Sequence, residues 1–147
     1  NELLYRSTDP EKFATLFYGV LDLQHHTITF SNAGHENPFL FKRGGGILRL
    51  VAGGTVLGVL DQFPYEEEVV PFESGDVLVI FSDGITEAFD VEDQQFGEPR
   101  LEEVLRASMT QPAAAIIDTV VAAVREYAGE APQADDLTLV VVKRAAQ

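Results

Sequence analysis

Along this chain apolar residues recur first at strand spacing and only later at helix spacing. Asn1-Glu2-Leu3-Leu4-Tyr5-Arg6 reads as the tail of a helix, broken by Ser7-Thr8-Asp9-Pro10. Phe13 to Leu23, with Phe17, Tyr18, Val20 and Leu21 inside it, predicts a strand, and Gln24-His25-His26 a polar turn. Thr27-Ile28-Thr29-Phe30-Ser31 alternates as a half-buried antiparallel strand does. Phe39-Leu40-Phe41 and Ile47-Leu48-Arg49-Leu50 flank Lys42-Arg43-Gly44-Gly45-Gly46 as a hairpin. Tyr65 to Phe72 and Asp76 to Ser82 predict a further strand pair around Glu73-Ser74-Gly75. From Arg100 the period changes. Leu101, Val104 and Leu105 share a helix face over Arg100 to Ser108. A second helix follows Thr110-Gln111-Pro112, with the stripe Ile116, Ile117, Val120, Val121, Val124 and Tyr127, and Gly129 can stop it. Leu137 to Lys143 is a last strand. Antiparallel strands, two helices and one returning strand predict an α+β fold with helices on a sheet face.

The 147 residues suit one domain, 1–147, with a real core, and 46% apolar content is globular. A helix tail with no helix before it leads us to expect that the chain begins inside a longer domain. No apolar run approaches a membrane span, and the first residues lack a signal-peptide pattern, so the expectation is a soluble, cytoplasmic chain without membrane insertion. The absence of cysteine excludes disulfides and thiolate zinc sites. A formal charge of -14 repels nucleic acid, so no nucleic-acid partner is expected. It repels a phosphorylated substrate too, unless bound cations reverse the sign locally.

That condition gives meaning to the acids at the strand ends. Val77 to Phe81 is apolar on both faces, hence a central strand, and Ser82-Asp83-Gly84-Ile85-Thr86-Glu87 opens a loop at its end. Asp-Gly is also an ordinary turn pair; what distinguishes Asp83 is its seat on a rigid strand, with Gly84 allowing a sharp turn. Asp135-Asp136 stand directly before the last strand, where the plain reading is a solvated acidic pair. Adjacent carboxylates repel, however, and a cation relieves that cost. Two carboxylates converging from different strands can hold a hard divalent cation. In Asn32-Ala33-Gly34-His35-Glu36-Asn37-Pro38, Gly34 suggests unusual backbone, and His35 is a weaker candidate. His25 and His26 read as surface turn residues, Asp22 as the start of that turn, and Glu66-Glu67-Glu68 as an exposed strand. Neither a nucleophile elbow nor a phosphate-binding glycine loop is present.

Five segments, taken in order, resemble a known family. They are Phe13 to Asp22, Ser31 to Pro38, Phe81-Ser82-Asp83-Gly84-Ile85-Thr86-Glu87-Ala88, Phe96-Gly97, and Asp135-Asp136-Leu137-Thr138-Leu139-Val140-Val141. The chain is similar to the SpoIIE/RsbU-like branch of the bacterial PPM-type (type 2C) metal-dependent serine/threonine protein phosphatases. The resemblance implies a sandwich of two antiparallel β-sheets flanked by helices, and a centre of two Mn²⁺ or Mg²⁺ ions. Asp83 matches a metal-ligand aspartate of the family. Asp135 matches the later ligand of an Asp-Asn pair, with Asp136 in the asparagine position and the second candidate. Gly84 and His35 would support the loop or a phosphate; at the position of His35 many relatives outside this branch carry an aspartate linked to an accessory metal. The family's first metal motif, Gly-Asp-x-x-Gly-x-Gly, has no match here, and Tyr18-Gly19-Val20-Leu21-Asp22 imitates only its start. The expectation is therefore a domain lacking its N-terminal strand and helices.

The implied function is hydrolysis of phosphoserine or phosphothreonine on a protein, by analogy an anti-anti-sigma factor in a partner-switching pathway. Asp83 and Asp135 would be its catalytic metal ligands. A competing reading, motivated by the absent motif, is a phosphatase-like regulatory binding module without turnover. A third is an acidic α+β domain in which Asp83 and Asp135 lie far apart.

Overall fold

A computed structural model of the chain describes residues 1–9 and 11–145. Pro10, expected among the residues that break the first helix, lies outside the described residues. The chain divides into two compact units, Asn1–Asp76 and Val77–Ala145, and its strands belong to two sheets.

The first unit holds α1 (Glu2–Ser7), β1 (Leu16–Asp22), β2 (Thr27–Ala33), β3 (Phe39–Phe41), β4 (Ile47–Arg49), β5 (Gly53–Gly54) and β6 (Glu68–Pro71). The Thr8 amide and hydroxyl both donate to the Leu4 carbonyl and close α1. β1 and β2 pair antiparallel from Leu16↔Ala33 to Asp22↔Thr27. Ile28, Phe30 and Asn32 alternate inward and are buried, as the period of β2 predicts. The strand expected from Phe13 starts only at Leu16; Phe13 itself is 64% exposed, with nothing to bury it.

The same edge of β2 receives two strands. β6 pairs antiparallel with Thr27 to Phe30, while β5 runs parallel to Asn32 and Ala33. The strand pair expected around Glu73-Ser74-Gly75 therefore does not form, since β6 takes β2 as its partner. Asp76 closes the connection 73–76 on itself. Its amide donates to the Glu73 carbonyl, and its carboxylate accepts from the Glu73 amide (2.8 Å), the Arg43 amide (2.9 Å) and the Lys42 ammonium. The β3–β4 hairpin forms as predicted, in register Phe39↔Arg49 to Phe41↔Ile47. Phe39, Leu40 and Phe41 are all buried.

The second unit holds β7 (Val77–Phe81), α2 (Asp83–Thr86), α3 (Gly97–Ser108), α4 (Ala113–Ala128) and β8 (Leu139–Lys143). β7 and β8 pair antiparallel from Val77↔Lys143 to Phe81↔Leu139. β7 is buried at all but Ile80, which makes it the rigid strand its sequence implies. α3 packs on α4, and α4 on β8. Leu101 and Leu105 of α3 and Ile116, Val120 and Val124 of α4 fill the contacts. Each such side chain contributes about 1.5–3 kcal/mol by leaving water. Gly129, at φ 57°, ends α4 in the left-handed region that favours glycine. The Lys143 ammonium donates to the Met109 and Gln111 carbonyls (2.7 and 2.6 Å), tying the end of β8 to the α3–α4 connection.

Candidate functional site

The segment after β7 is a short helix rather than the predicted loop. Ser82 is extended and stands at its N-cap, Asp83 is its first residue, and the Glu87 amide donates to the Asp83 carbonyl at 2.7 Å. Ile85, 1% exposed, pins the helix to the core. This anchor is a local apolar residue that a turn reading of Asp-Gly overlooks.

Ser82 joins this helix to the strand-entry segment of Asp135-Asp136. Its amide donates to the Thr138 carbonyl (3.0 Å), and its hydroxyl donates to the Asp136 carbonyl (3.1 Å) while accepting from the Thr138 amide (3.0 Å). Gly84 completes the approach. A Cβ there would meet the Asp136 carbonyl oxygen well inside the 3.0 Å that real Cβ atoms keep, with the Asp135 carbonyl carbon at 3.5 Å. Gly84 is absent from the positive-φ residues, so it supplies room rather than the unusual turn expected of it. The two acidic segments, 52 positions apart, thus meet backbone to backbone.

Asp83, Asp135 and Asp136 are all exposed. The Gly84 amide donates to Asp83 Oδ1 at 2.9 Å, and the Asp136 amide to Asp135 Oδ1 at 2.7 Å. Each carboxylate is thereby restrained by the amide that follows it. Its second oxygen accepts nothing from the described residues. Such oxygens suit Mg²⁺ or Mn²⁺, hard ions that commonly take one or two carboxylates and complete their shell with water and substrate phosphate. The donor type fits. Among the described residues no group of three or more His, Asp or Glu gathers around one point, so a full ligand set is not present in this arrangement.

His35 belongs to the first unit. Its amide donates to buried Asn32 Oδ1 (2.8 Å), its carbonyl accepts from Asn32 Nδ2 (3.0 Å), and its ring Nδ1 lies 3.4 Å from the Thr15 hydroxyl. The contacts describe a buried asparagine shaping a turn through the His35 backbone, while the ring's contact is with Thr15. Asp22 starts the β1–β2 turn as expected, accepting from the Gln24 and His25 amides. The His25 ring beside it (2.7 Å) holds the Asp22 carboxyl down to about 2, and Asp22 raises His25. Sequence reasoning missed Ser82 as the joining residue. Its signal was the hydroxyl ending an all-apolar strand one position before Asp83.

The family model for stage II sporulation protein E (SpoIIE) matches residues 1–145. Protein IcfG of Synechocystis sp. is 30% identical over 136 residues, covering 92% of this chain and 21% of IcfG. Phosphoserine phosphatase RsbU of Bacillus subtilis is 28% identical over 145 residues, covering 98% of this chain and 43% of RsbU. The solved structure of the PP2C phosphatase domain with a fragment of the regulatory domain of B. subtilis SpoIIE aligns with a TM-score of 0.73. The identity there is 26%, over 88% of this chain and 37% of that one. The chain thus spans less than half the length of either curated relative. No helix among the described residues is long and apolar enough to cross a membrane. Two sheets with helices, and the match along the described length, lead to one assignment: the chain belongs to the SpoIIE family, within the RsbU-like PPM-type (PP2C) phosphatase domains.

Proposed function

We propose that this chain provides part of a Mn²⁺- or Mg²⁺-dependent phosphatase that hydrolyses phosphoserine or phosphothreonine on a protein. The observation that carries the reading is the Ser82 junction, which ties the Asp83 helix to the Asp135-Asp136 segment in one hydrogen-bonded unit. Asp83 and Asp135 are the metal ligands in this reading, with Asp136 the alternative to Asp135. When bound, divalent cations supply acidified water near neutral pH and neutralise phosphoryl oxygens. The chain's own part is to hold two carboxylates still. Gly84 and Asp136 amides restrain one oxygen of each, and exposure leaves the other turned to incoming ligands. This resolves the charge conflict, because a protein of charge -14 meets a phosphate dianion through cations.

The substrate in this proposal is a phosphorylated anti-anti-sigma protein of a bacterial partner-switching pathway, in the cytoplasm. The likeness to a protein named phosphoserine phosphatase RsbU supports it. The test is phosphate release from such a phosphoprotein by the full-length protein with added manganese. Asp83→Asn is expected to lower the rate by about two orders of magnitude or more, the scale of a lost metal function. Equal rates in parent and variant would remove Asp83 from the mechanism. The second reading, a binding module without turnover, is favoured by the absence, among the described residues, of three or more His, Asp or Glu around one point. It predicts phosphoprotein binding with no phosphate release at any manganese concentration.

A further inference from the structure

A cleft of about 500 Å³ borders the acidic junction, and Gly84 and Asp135 belong to its lining. Apolar residues make part of its lining: Ala88 and Phe89 after α2, Val124 and Ala128 at the end of α4, and Pro132 and Leu137 on the segment leading into β8. The walls are braced. The Phe96 amide donates to the Ala88 carbonyl (2.8 Å), and Phe89 bridges to Gln95. The Tyr127 hydroxyl donates to the Gln94 and Gln95 carbonyls, while its ring packs edge-on against Phe96 and under the Arg100 guanidinium. The Ala131 amide returns to the Ala128 carbonyl and closes the third side. Preformed clefts that combine apolar side chains with a few polar groups are the usual form of a binding subsite.

One cation stands in the lining. Arg125 is exposed, and its guanidinium forms no ion pair or hydrogen bond with the described residues. Glu87 also lines the cleft, yet no ion pair joins the two. On so acidic a chain an uncommitted guanidinium beside an apolar hollow is complementary to an apolar residue accompanied by a carboxylate.

Resting on the phosphatase reading above, we propose that this cleft reads the polypeptide next to the phosphorylated residue. A phosphoryl group at Asp83 and Asp135 brings the neighbouring substrate residues to the cleft, because Gly84 and Asp135 border both. An apolar side chain enters between α2 and the end of α4, and a substrate carboxylate pairs with Arg125. The occupant is therefore an acidic-apolar stretch flanking phosphoserine or phosphothreonine.

Four phosphoserine decapeptides test this, with Leu or Ala beside the phosphoserine and Glu or Lys at the next position outward, on both sides. The full-length protein is expected to favour the Leu/Glu peptide over the Ala/Lys peptide by about tenfold or more in kcat/KM, the scale of one filled pocket. Arg125→Glu is expected to reverse the choice between Glu and Lys peptides. Ala128→Trp fills the hollow and is expected to abolish the choice between Leu and Ala. A reversed charge preference is something a merely structural arginine cannot produce. Unchanged preferences in both variants, or none in the parent, overturn the proposal. Hydrolysis of p-nitrophenyl phosphate by the parent reports separately on the phosphatase reading. If the parent hydrolyses neither ester, that reading fails, and fluorescence anisotropy with the same labelled peptides decides the cleft. The same order of affinities and the same reversal sustain it; indifference to sequence overturns it.

Discussion

Gly84→Ala adds a single methyl group at the closest approach of the two acidic segments. The backbone of Gly84 suits alanine, so the effect is purely one of space. The new Cβ would face the Asp136 carbonyl oxygen inside 3.0 Å, the carbonyl carbon at 3.1 Å and the Asp135 carbonyl carbon at 3.5 Å. None of these is a flexible side-chain end. The Asp136 carbonyl is held by the Ser82 hydroxyl, and Thr138 is held by Ser82 from both its amide and its carbonyl. The segment can yield only by about half an ångström or more, straining those bonds, or α2 must tilt off the core contact of Ile85. Overpacking of this kind costs about 1–3 kcal/mol. For a chain of this size that lowers Tm by about 2–4 °C for each kcal/mol. Displacing positioned groups by about 1 Å costs on the order of a hundredfold in rate. Thermal unfolding by circular dichroism and manganese-dependent phosphate release measure the two effects. Gly46→Ala is the control, because its Cβ meets nothing within 4 Å. A Gly84→Ala protein that melts with the control and responds to manganese like the parent would show that the two segments do not press on each other, and the site argument would fall.

Four further outcomes follow from other parts of the molecule. Calorimetric titration with manganese should separate Asp135→Asn from Asp136→Asn: in our reading the first weakens binding by about tenfold or more and the second leaves most of it, and the opposite order reassigns the ligand. Asp76→Ala leaves two backbone amides without their acceptor at a site that is 1% exposed and takes from the Lys42 ammonium its carboxylate, leaving it the Pro71 carbonyl, and should cost about 2–4 kcal/mol in denaturant unfolding; a loss below about 1 kcal/mol contradicts that network. Tyr65→Phe removes a buried hydroxyl that has no hydrogen-bond partner among the described residues, whose pKa burial pushes up, and should leave stability equal or raised by about 1 kcal/mol. For the Asp22–His25 pair, the lowered carboxyl stabilises the fold above its ordinary 3.8 and loses that as pH falls through about 2; the raised imidazole stabilises below its ordinary 6.5 and loses that as pH climbs through its folded value. The pair therefore acts together between those ordinary values, and an NMR titration of Asp22→Asn should show His25 titrating lower than in the parent.

What the sequence made legible tracks where the information is local. The alternation of Thr27 to Ser31, the stripe on α4 and the stop at Gly129 each follow from neighbouring residues and were readable. The partner of β6 was not. β6 precedes the next strand by one short connection, as a hairpin strand does, yet it pairs with β2, far earlier in the chain, and nothing in its own residues names that partner. The two-residue β5 was equally hidden, because Gly53-Gly54 has no side-chain pattern to read. At the site, the acids were visible from their positions at strand ends, while the means of joining them was not. Asp-Gly suggested a turn; the buried Ile85 makes it a helix, and Gly84 is there for the passage of another backbone.

The register of β7 with β8 brings the two acidic segments side by side. Phe81 lies opposite Leu139, so the residues just beyond each strand, Ser82 and Thr138, also face each other and exchange hydrogen bonds. A slip of one residue would carry Ser82 away from Thr138 and Asp136 together. The register thus sets the acidic junction. An exposed carboxylate pair has little stability of its own to contribute, and mutual repulsion opposes its assembly. The place of its two segments is set instead by the pairing of β7 with β8 and by the Ser82 bonds.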